Sequence, residues 1–320
     1  MKTTFPLAVV FLLSAGLASV AVAQIPAVTH NTWSSGAPIP TAVFGPTTAV
    51  LIGPATAAVQ IYLVGGYSDL GPENITQVYN PTTNTWSSGV MFPTTVNQAG
   101  AAVVKGILYV IGGSYTGSIT QTNEVFAFSP KTNSWIQKTS MNEERESPGI
   151  AVENGIIYAI GGYNTANGFL SSVESYNPAS DTWTEEAPLL VGESAVSAGR
   201  IGTAIVIADG TEYALDASDT ESYDALAKQW TSLKADPMPR YDTCGAAVGK
   251  KLYVAGGDNI QSAGVSITES FNPSTNKWTN LAAMPQAAFI QGTAEYKGKL
   301  YCFGGWAQGT VLNNVQIYQP

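Results

Sequence analysis

The side chains that could do chemistry are few in this 320-residue chain. It has one histidine, His30, and three arginines, Arg145, Arg200 and Arg240. A Ser-His-Asp hydrolase would have to use His30, and no Gly-x-Ser-x-Gly elbow exists to present a serine. His30 itself reads as an exposed residue flanking a strand. Cys-x-x-Cys, His-Glu-x-x-His, Walker and Gly-x-Gly-x-x-Gly patterns are all missing, so no cofactor or metal is expected. Acidic residues cluster at Glu143-Glu144-Arg145-Glu146, at Glu185-Glu186, and at Asp216, Asp219 and Glu221. The third group could offer oxygen ligands, but its spacing does not match a calcium-binding loop. All three clusters read as solvated loops. Paired carboxylates for glycoside hydrolysis could come from distant segments, and nothing singles out a pair. Cys244 and Cys302 are too few for a disulfide framework and read as two small buried apolar side chains. An oxidising compartment would permit one bridge between them.

The elements that must position such groups are short. Charged residues are 12% of the chain, about half the usual share, while 45% is hydrophobic. That combination excludes intrinsic disorder and long solvent-laced helices. The 32 glycines and 18 prolines suit short strands and turns. A net charge of −9 with so few arginines excludes a surface that tracks nucleic-acid phosphates. At the N-terminus, Lys2 precedes an apolar run from Leu7 to Val20, and Ala21-Val22-Ala23 is a small-x-small cleavage pattern before Gln24. Residues 5–23 approach spanning length, but the Ala-x-Ala ending is better explained by a signal peptidase. The expectation is a signal peptide over 1–23 and one domain over 24–320, secreted or periplasmic. No membrane span is expected in the mature chain, which is read as a monomer.

Internal repetition carries the fold. An apolar strand ends in Gly-Gly five times, at Gly65-Gly66, Gly112-Gly113, Gly161-Gly162, Gly256-Gly257 and Gly304-Gly305. The second glycines are 47, 49, 95 and 48 residues apart, so the long gap hides a degenerate copy. That copy runs from Ala204 to Gly210 with its first glycine lost. Aromatic residues follow at Tyr79, Phe128, Tyr176, Tyr223, Phe271 and Tyr318, and tryptophans at Trp86, Trp135, Trp183, Trp230 and Trp278. The last aromatic has no tryptophan after it, and the missing one is at the other end of the chain. Asn31-Thr32-Trp33 matches Asn84-Thr85-Trp86. If the N-terminal strand pairs with Val315 to Tyr318, the final sheet gains its outer strand and a ring of sheets closes.

These residues resemble the kelch repeats of the kelch/galactose-oxidase β-propeller group, over about residues 30 to 320. The resemblance implies an all-β fold: six blades of four antiparallel strands, closed by the N-terminal strand, with loops on two faces around a central channel. The copper-oxidase branch needs histidine ligands and is excluded by the single His30. Repeated Gly, Tyr and Trp are scaffold, so function must come from what varies between repeats. The loops after the glycine pair begin Tyr67-Ser68-Asp69, Ser114-Tyr115-Thr116, Tyr163-Asn164-Thr165, Thr211-Glu212-Tyr213, Asp258-Asn259-Ile260 and Trp306-Ala307-Gln308. In the family's strand order they share one face with loops carrying Arg145, Arg240, Tyr241, Asp242, Gln286 and Phe289. The candidate rim is therefore Tyr67, Tyr115, Arg145, Tyr163, Arg240, Asp258 and Trp306, with Arg240 the expected partner of a ligand carboxylate. Aromatic plates beside amides suit polypeptide or glycan recognition. The function expected is a non-catalytic exported binding module. The alternative is a carbohydrate-active enzyme such as a sugar epimerase or mutarotase.

Overall fold

The computed structural model describes residues 30–52, 58–115, 120–212, 215–259 and 264–320. The expected signal peptide and its cleavage site lie outside the described residues, as do Thr116, Tyr213 and Ile260. Six four-stranded antiparallel sheets form the blades. The innermost strands are Thr47–Ile52, Gly100–Val104, Gly149–Glu153, Ser197–Ile201, Cys244–Val248 and Gly292–Tyr296, in blades 1 to 6. They alternate small apolar residues between the blade core and a central channel. Strands ending in the glycine pair lie second, strands ending in Tyr or Phe third, and the tryptophan strands outermost. Each core is a seam between adjacent blades, as where Tyr62, Val64 and Val78 of blade 1 pack on Leu108, Val110 and Phe128 of blade 2.

Blade 6 is assembled from both chain ends. Thr32–Ser35 pairs antiparallel with Val315–Gln319, placing Trp33 opposite Tyr318, the register of Trp86 opposite Tyr79 in blade 1. His30 lies exposed beside this strand, with Nδ1 2.5 Å from the Pro320 carbonyl oxygen.

The tryptophans hold each blade to the connector that enters it. The six outer-strand indoles each donate Nε1–H to a connector carbonyl: Trp86 to Ala37, Trp135 to Val90, Trp183 to Thr139, Trp230 to Ala187, Trp278 to Lys234 and Trp33 to Ala282. In four blades the same connector residue also donates its N–H to the turn residue before the tryptophan strand. Ala37 donates to Asn84, Thr139 to Asp181, Lys234 to Asn276 and Ala282 to Asn31. These turn residues have φ near +50 to +56°, a conformation that Asn and Asp tolerate. The ring of each tryptophan lies 4.9–5.2 Å from the aromatic residue opposite it.

The glycine pair performs the complementary task. Its second N–H donates to the connector leaving the blade, from Gly66 to Val96 and, across the chain ends, from Gly305 to Val43. A Cβ on Gly65 would stand 2.1 Å from the Val96 carbonyl oxygen, and φ there is +64°, so only a residue without a side chain fits.

Cys244 and Cys302 form a disulfide, contrary to the expectation of two unbridged side chains. The innermost strand of blade 5 faces the second strand of blade 6, bringing their Cα atoms to 5.8 Å. Closing a loop of 58 residues stabilises the fold by about 4 kcal/mol in the chain-entropy account.

Trp33→Ala should cost about 3 kcal/mol, the low end for a buried aromatic because the ring is half-buried. Urea denaturation of Trp33→Ala beside Trp278→Ala, the equivalent clamp within the continuous chain, checks this. A cost for Trp33→Ala below a third of that for Trp278→Ala would show that the N-terminal strand does not close the ring.

Candidate functional site

The loops after the glycine pairs and the connectors between blades meet on one face. A single antiparallel bridge joins them in each blade: Phe44 to Tyr67, Asn97 to Ser114, Glu146 to Tyr163, Ser194 to Thr211, Tyr241 to Asp258 and Phe289 to Trp306. Backbone bonding thus fixes the residues that vary between repeats into one rim.

Two of the expected rim residues come together. The Phe44 ring stacks on Tyr67 at 5.2 Å and meets the edge of Trp306 at 5.4 Å. Phe289 bridges to the Trp306 backbone, and Leu70, at the turn of the Tyr67 ribbon, is 96% exposed. This sector of blades 6 and 1 is an aromatic platform. Phe44 was absent from the sequence-based set, although it holds the repeat position of Tyr241 and Phe289. The other aromatics are spread around the face and tied locally. Tyr115 donates to Glu124 of its own blade, and the Tyr163 ring leans on Phe169 at 5.3 Å. Asp258 accepts from Tyr241 at 3.3 Å and from the Asn259 and Gly264 amides.

Arg145 and Arg240 are placed differently from the expectation, because both guanidinium groups are turned inward and fully buried. They follow from connector positions whose carbonyls receive the glycine N–H, so their side chains start inside a seam. Arg145 donates to the Gly161 and Ser172 carbonyls and to Glu174 at 2.9 Å, bracing blade 2 against blade 3. Arg240 donates to Glu269 at 2.7 Å and to the Met238 carbonyl, with Asp236 and Asp209 3.7 and 4.0 Å away. Neither presents a free guanidinium to a ligand carboxylate.

The Arg240 seam explains the degenerate repeat. Asp209 stands where the other repeats have their first glycine, with φ +58°, and its buried oxygens have no hydrogen-bond partner. The third-strand position of Glu269 is occupied by Gln77 in blade 1, Glu174 in blade 3, Glu221 in blade 4 and Gln316 in blade 6. Those side chains accept connector N–H groups, at Thr41, Asn142, Leu190 and Gln286 respectively. In blade 5 the connector has Pro237, which lacks an N–H, and Asp236 takes the Met238 N–H. Glu269 therefore bonds Arg240 instead. Three buried carboxylates then share one guanidinium. Burial above all raises the Asp209 and Glu269 carboxyl pKa values, with Arg240 pulling the other way and Asp236 adding repulsion.

The acidic clusters are thus not all solvated loops. Glu221 is buried, and that burial pushes its carboxyl up to about 7. Glu186 accepts from Tyr223 and pairs with Lys228, and Glu143 accepts from Ser172 and Asn167. The repeat makes these positions caps for neighbouring loops, which a list of acidic residues does not reveal.

The channel opens inside the rim. Connector residues Gly45, Gln98, Ser147, Ala195, Asp242 and Ile290 all have φ between +50 and +62°. Their backbones are linked from Ile290 through Gly45, Gln98 and Ser147 to Ala195, and from Asp242 to Ile290, by N–H···O bonds of 2.7–2.9 Å. At the opposite mouth, walls of Val50, Val103, Ile150 and Val152 end at Arg200, which pairs with Glu153. No group of three or more His, Cys, Asp or Glu is placed to hold a metal among the described residues. No helix among them is long and apolar enough to cross a membrane.

This architecture is a kelch-repeat propeller. Residues 61–262 match the Attractin/LZTR1 beta-propeller family, and the chain belongs to that family. It is 26% identical to mouse (Mus musculus) Kelch-like protein 23 over 201 residues, 62% of this chain and 36% of that protein. It is also 26% identical to Kelch-like protein terF of Aspergillus terreus over 213 residues, again 62% of this chain and 36% of that protein. The matched stretch is thus about a third of these relatives' length. A solved structure titled "Structure of YjhT" superposes with a TM-score of 0.74 at 17% identity, covering 87% of this chain and 95% of that one. At that identity the likeness shows the fold.

A carboxyl with a raised folded pKa holds its proton more tightly in the folded state. Its stabilising contribution is therefore greatest at low pH and falls as pH rises above about 4, the unfolded value, toward the folded one. Asp209→Gly restores the repeat glycine and removes one buried carboxylate. It should stabilise the protein by about 1–3 kcal/mol at pH 8 and reduce the stability lost between pH 5 and 8. Thermal melts at the two pH values check this, and a lower melting point for the variant at pH 8 would refute it.

Proposed function

We propose that the chain is a non-catalytic binding module whose loop face docks a polypeptide, with a glycan as the other occupant its chemistry suits. The observation that carries this is the Phe44–Tyr67–Trp306 platform beside exposed Leu70. The three rings are half-buried and present their remaining surface beside Leu70, which the scaffold leaves almost fully exposed. Platform residues vary between blades, whereas the strands beneath them repeat, and a ligand needs different groups converging on it.

An array of peptides and glycans probed with wild type, Trp306→Ala and Tyr67→Ala tests the proposal. Each variant should weaken the recovered binding at least tenfold, about 1.4 kcal/mol, with an unchanged melting temperature. Binding indifferent to both substitutions, or an array without hits, would end the loop-face reading.

Export belongs to the same proposal, with residues 1–23 a cleaved signal peptide and the domain secreted or periplasmic as a monomer. Support comes from the Cys244–Cys302 bridge, since such bonds persist in oxidising compartments. Mass spectrometry of protein from the exporting cell should find Gln24 as the first residue, and a membrane-bound product retaining Met1 would count against export.

A second reading, a sugar epimerase or mutarotase, has one observation in its favour. Burial, with the charges of Asp258 and Glu146, pushes the Asp242 carboxyl at the channel mouth up to about 7. A group of that pKa can exchange protons with a sugar hydroxyl at neutral pH. Mutarotation of anomerically pure sugars followed by NMR separates the readings: acceleration above buffer that is lost in Asp242→Asn would favour the enzyme.

A further inference from the structure

The two faces of the propeller differ in charge. The loops that follow the glycine pairs, and the loop after Gly210, contain no lysine or arginine. On the opposite face, the hairpins between innermost and second strands, with the strand ends beside them, carry Lys105, Arg200, Lys250, Lys251, Lys297 and Lys299. Only Glu153 and Glu295 oppose them there among the described residues. In a chain of net charge −9 this is a marked segregation, and because the innermost strands line the channel, the positive hairpins ring its mouth.

A cavity of about 410 Å³ opens at that mouth, within the size range of small-molecule sites. Val50, Val103, Ile150, Val152 and Ala247 give it aliphatic walls, and Arg200 and Glu295 are its only ionisable lining residues. Deeper in, the Thr48 hydroxyl is already occupied, accepting from the Thr293 backbone N–H at 2.8 Å. Glu295 is exposed and accepts the Gly298 amide of its own hairpin at 2.8 Å. Arg200 pairs through Nε with the buried Glu153 of blade 3, and no second carboxylate lies within 4 Å of it among the described residues. That pairing holds the guanidinium by one edge. The two terminal nitrogens form the other edge, a fork of donors matched to a carboxylate, and the side chain is 45% exposed.

We propose that this cavity binds an aliphatic monocarboxylate, its alkyl chain along Val50, Val103, Ile150 and Val152 and its carboxylate on the terminal nitrogens of Arg200. The aliphatic wall offers too few open donors and acceptors for a sugar, and the hairpin cations repel an amine. The site lies at the far end of the channel from the aromatic platform and does not depend on the loop-face reading.

The test is calorimetric titration of hexanoate, octanoate and decanoate into the full protein at pH 7 and low salt, below micelle formation, with octanol and octylamine as controls. Saturable binding is expected, tightening about fourfold for each added methylene until the chain fills the cavity. Octanol and octylamine should bind at least tenfold more weakly than octanoate. Arg200→Gln should weaken octanoate at least tenfold. Since that change leaves Glu153 buried and unpaired, Arg200→Gln/Glu153→Gln, which removes the pair together, is measured beside it and should lose binding in a protein that still melts cooperatively. Trp306→Ala, on the other face, should bind octanoate like wild type. Lack of saturation, affinity indifferent to chain length, octanol binding as tightly as octanoate, wild-type affinity in the double variant, or lost affinity in Trp306→Ala would overturn the proposal.

Discussion

One residue in each connector, gripped by the blade it enters, holds the propeller in register. At Ala37, Thr139, Lys234 and Ala282 an Asn or Asp takes the N–H and a tryptophan indole takes the C=O. A connector between two sheets would otherwise carry unpaired backbone groups into a half-buried place. Asn31 and Trp33 make the same grip on Ala282 that Asn84 and Trp86 make on Ala37. The chain ends are therefore joined by the same double grip that fastens blades 1, 3 and 5. The glycine pair bonds the outgoing connector, so each blade is fastened on both sides.

Variation is admitted where these backbone bonds leave side chains unconstrained, and inside the seams it takes the form of charge. The position occupied by Val43, Val96 and Ala288 in three connectors is Arg145, Glu193 and Arg240 in the others. The two arginines brace adjacent blades instead of facing solvent. Around Arg240, the loss of a glycine to Asp209 and of a connector N–H to Pro237 left three carboxylates competing for one guanidinium. The arrangement suits mildly acidic conditions better than alkaline ones, since protonation relieves the repulsion.

On the loop face the same logic separates two environments. The blade 6 and blade 1 sector gathers aromatic rings because Phe44, Tyr67 and Trp306 start from bridged backbones. The channel mouth gathers backbone dipoles, and Asp242 has no cation beside it among the described residues.

The six-bladed fold and its closure were legible in the sequence because each blade meets the same surroundings and so needs the same residues at the same spacing. Gly-Gly, the aromatic residue and tryptophan recur for that reason, and Asn31-Thr32-Trp33 declared itself as the displaced copy. The shared face of the two loop families followed from that strand order. Contacts between unlike residues of different repeats have no period to betray them. The Cys244–Cys302 bridge, the burial of Arg145 and Arg240, the stacking of Phe44 on Tyr67 and Trp306, and the isolation of Asp242 each depend on which side chains the ring brings face to face. Those pairings were decided by tertiary structure, since residues tens of positions apart become neighbours only once the blades pack and the channel forms.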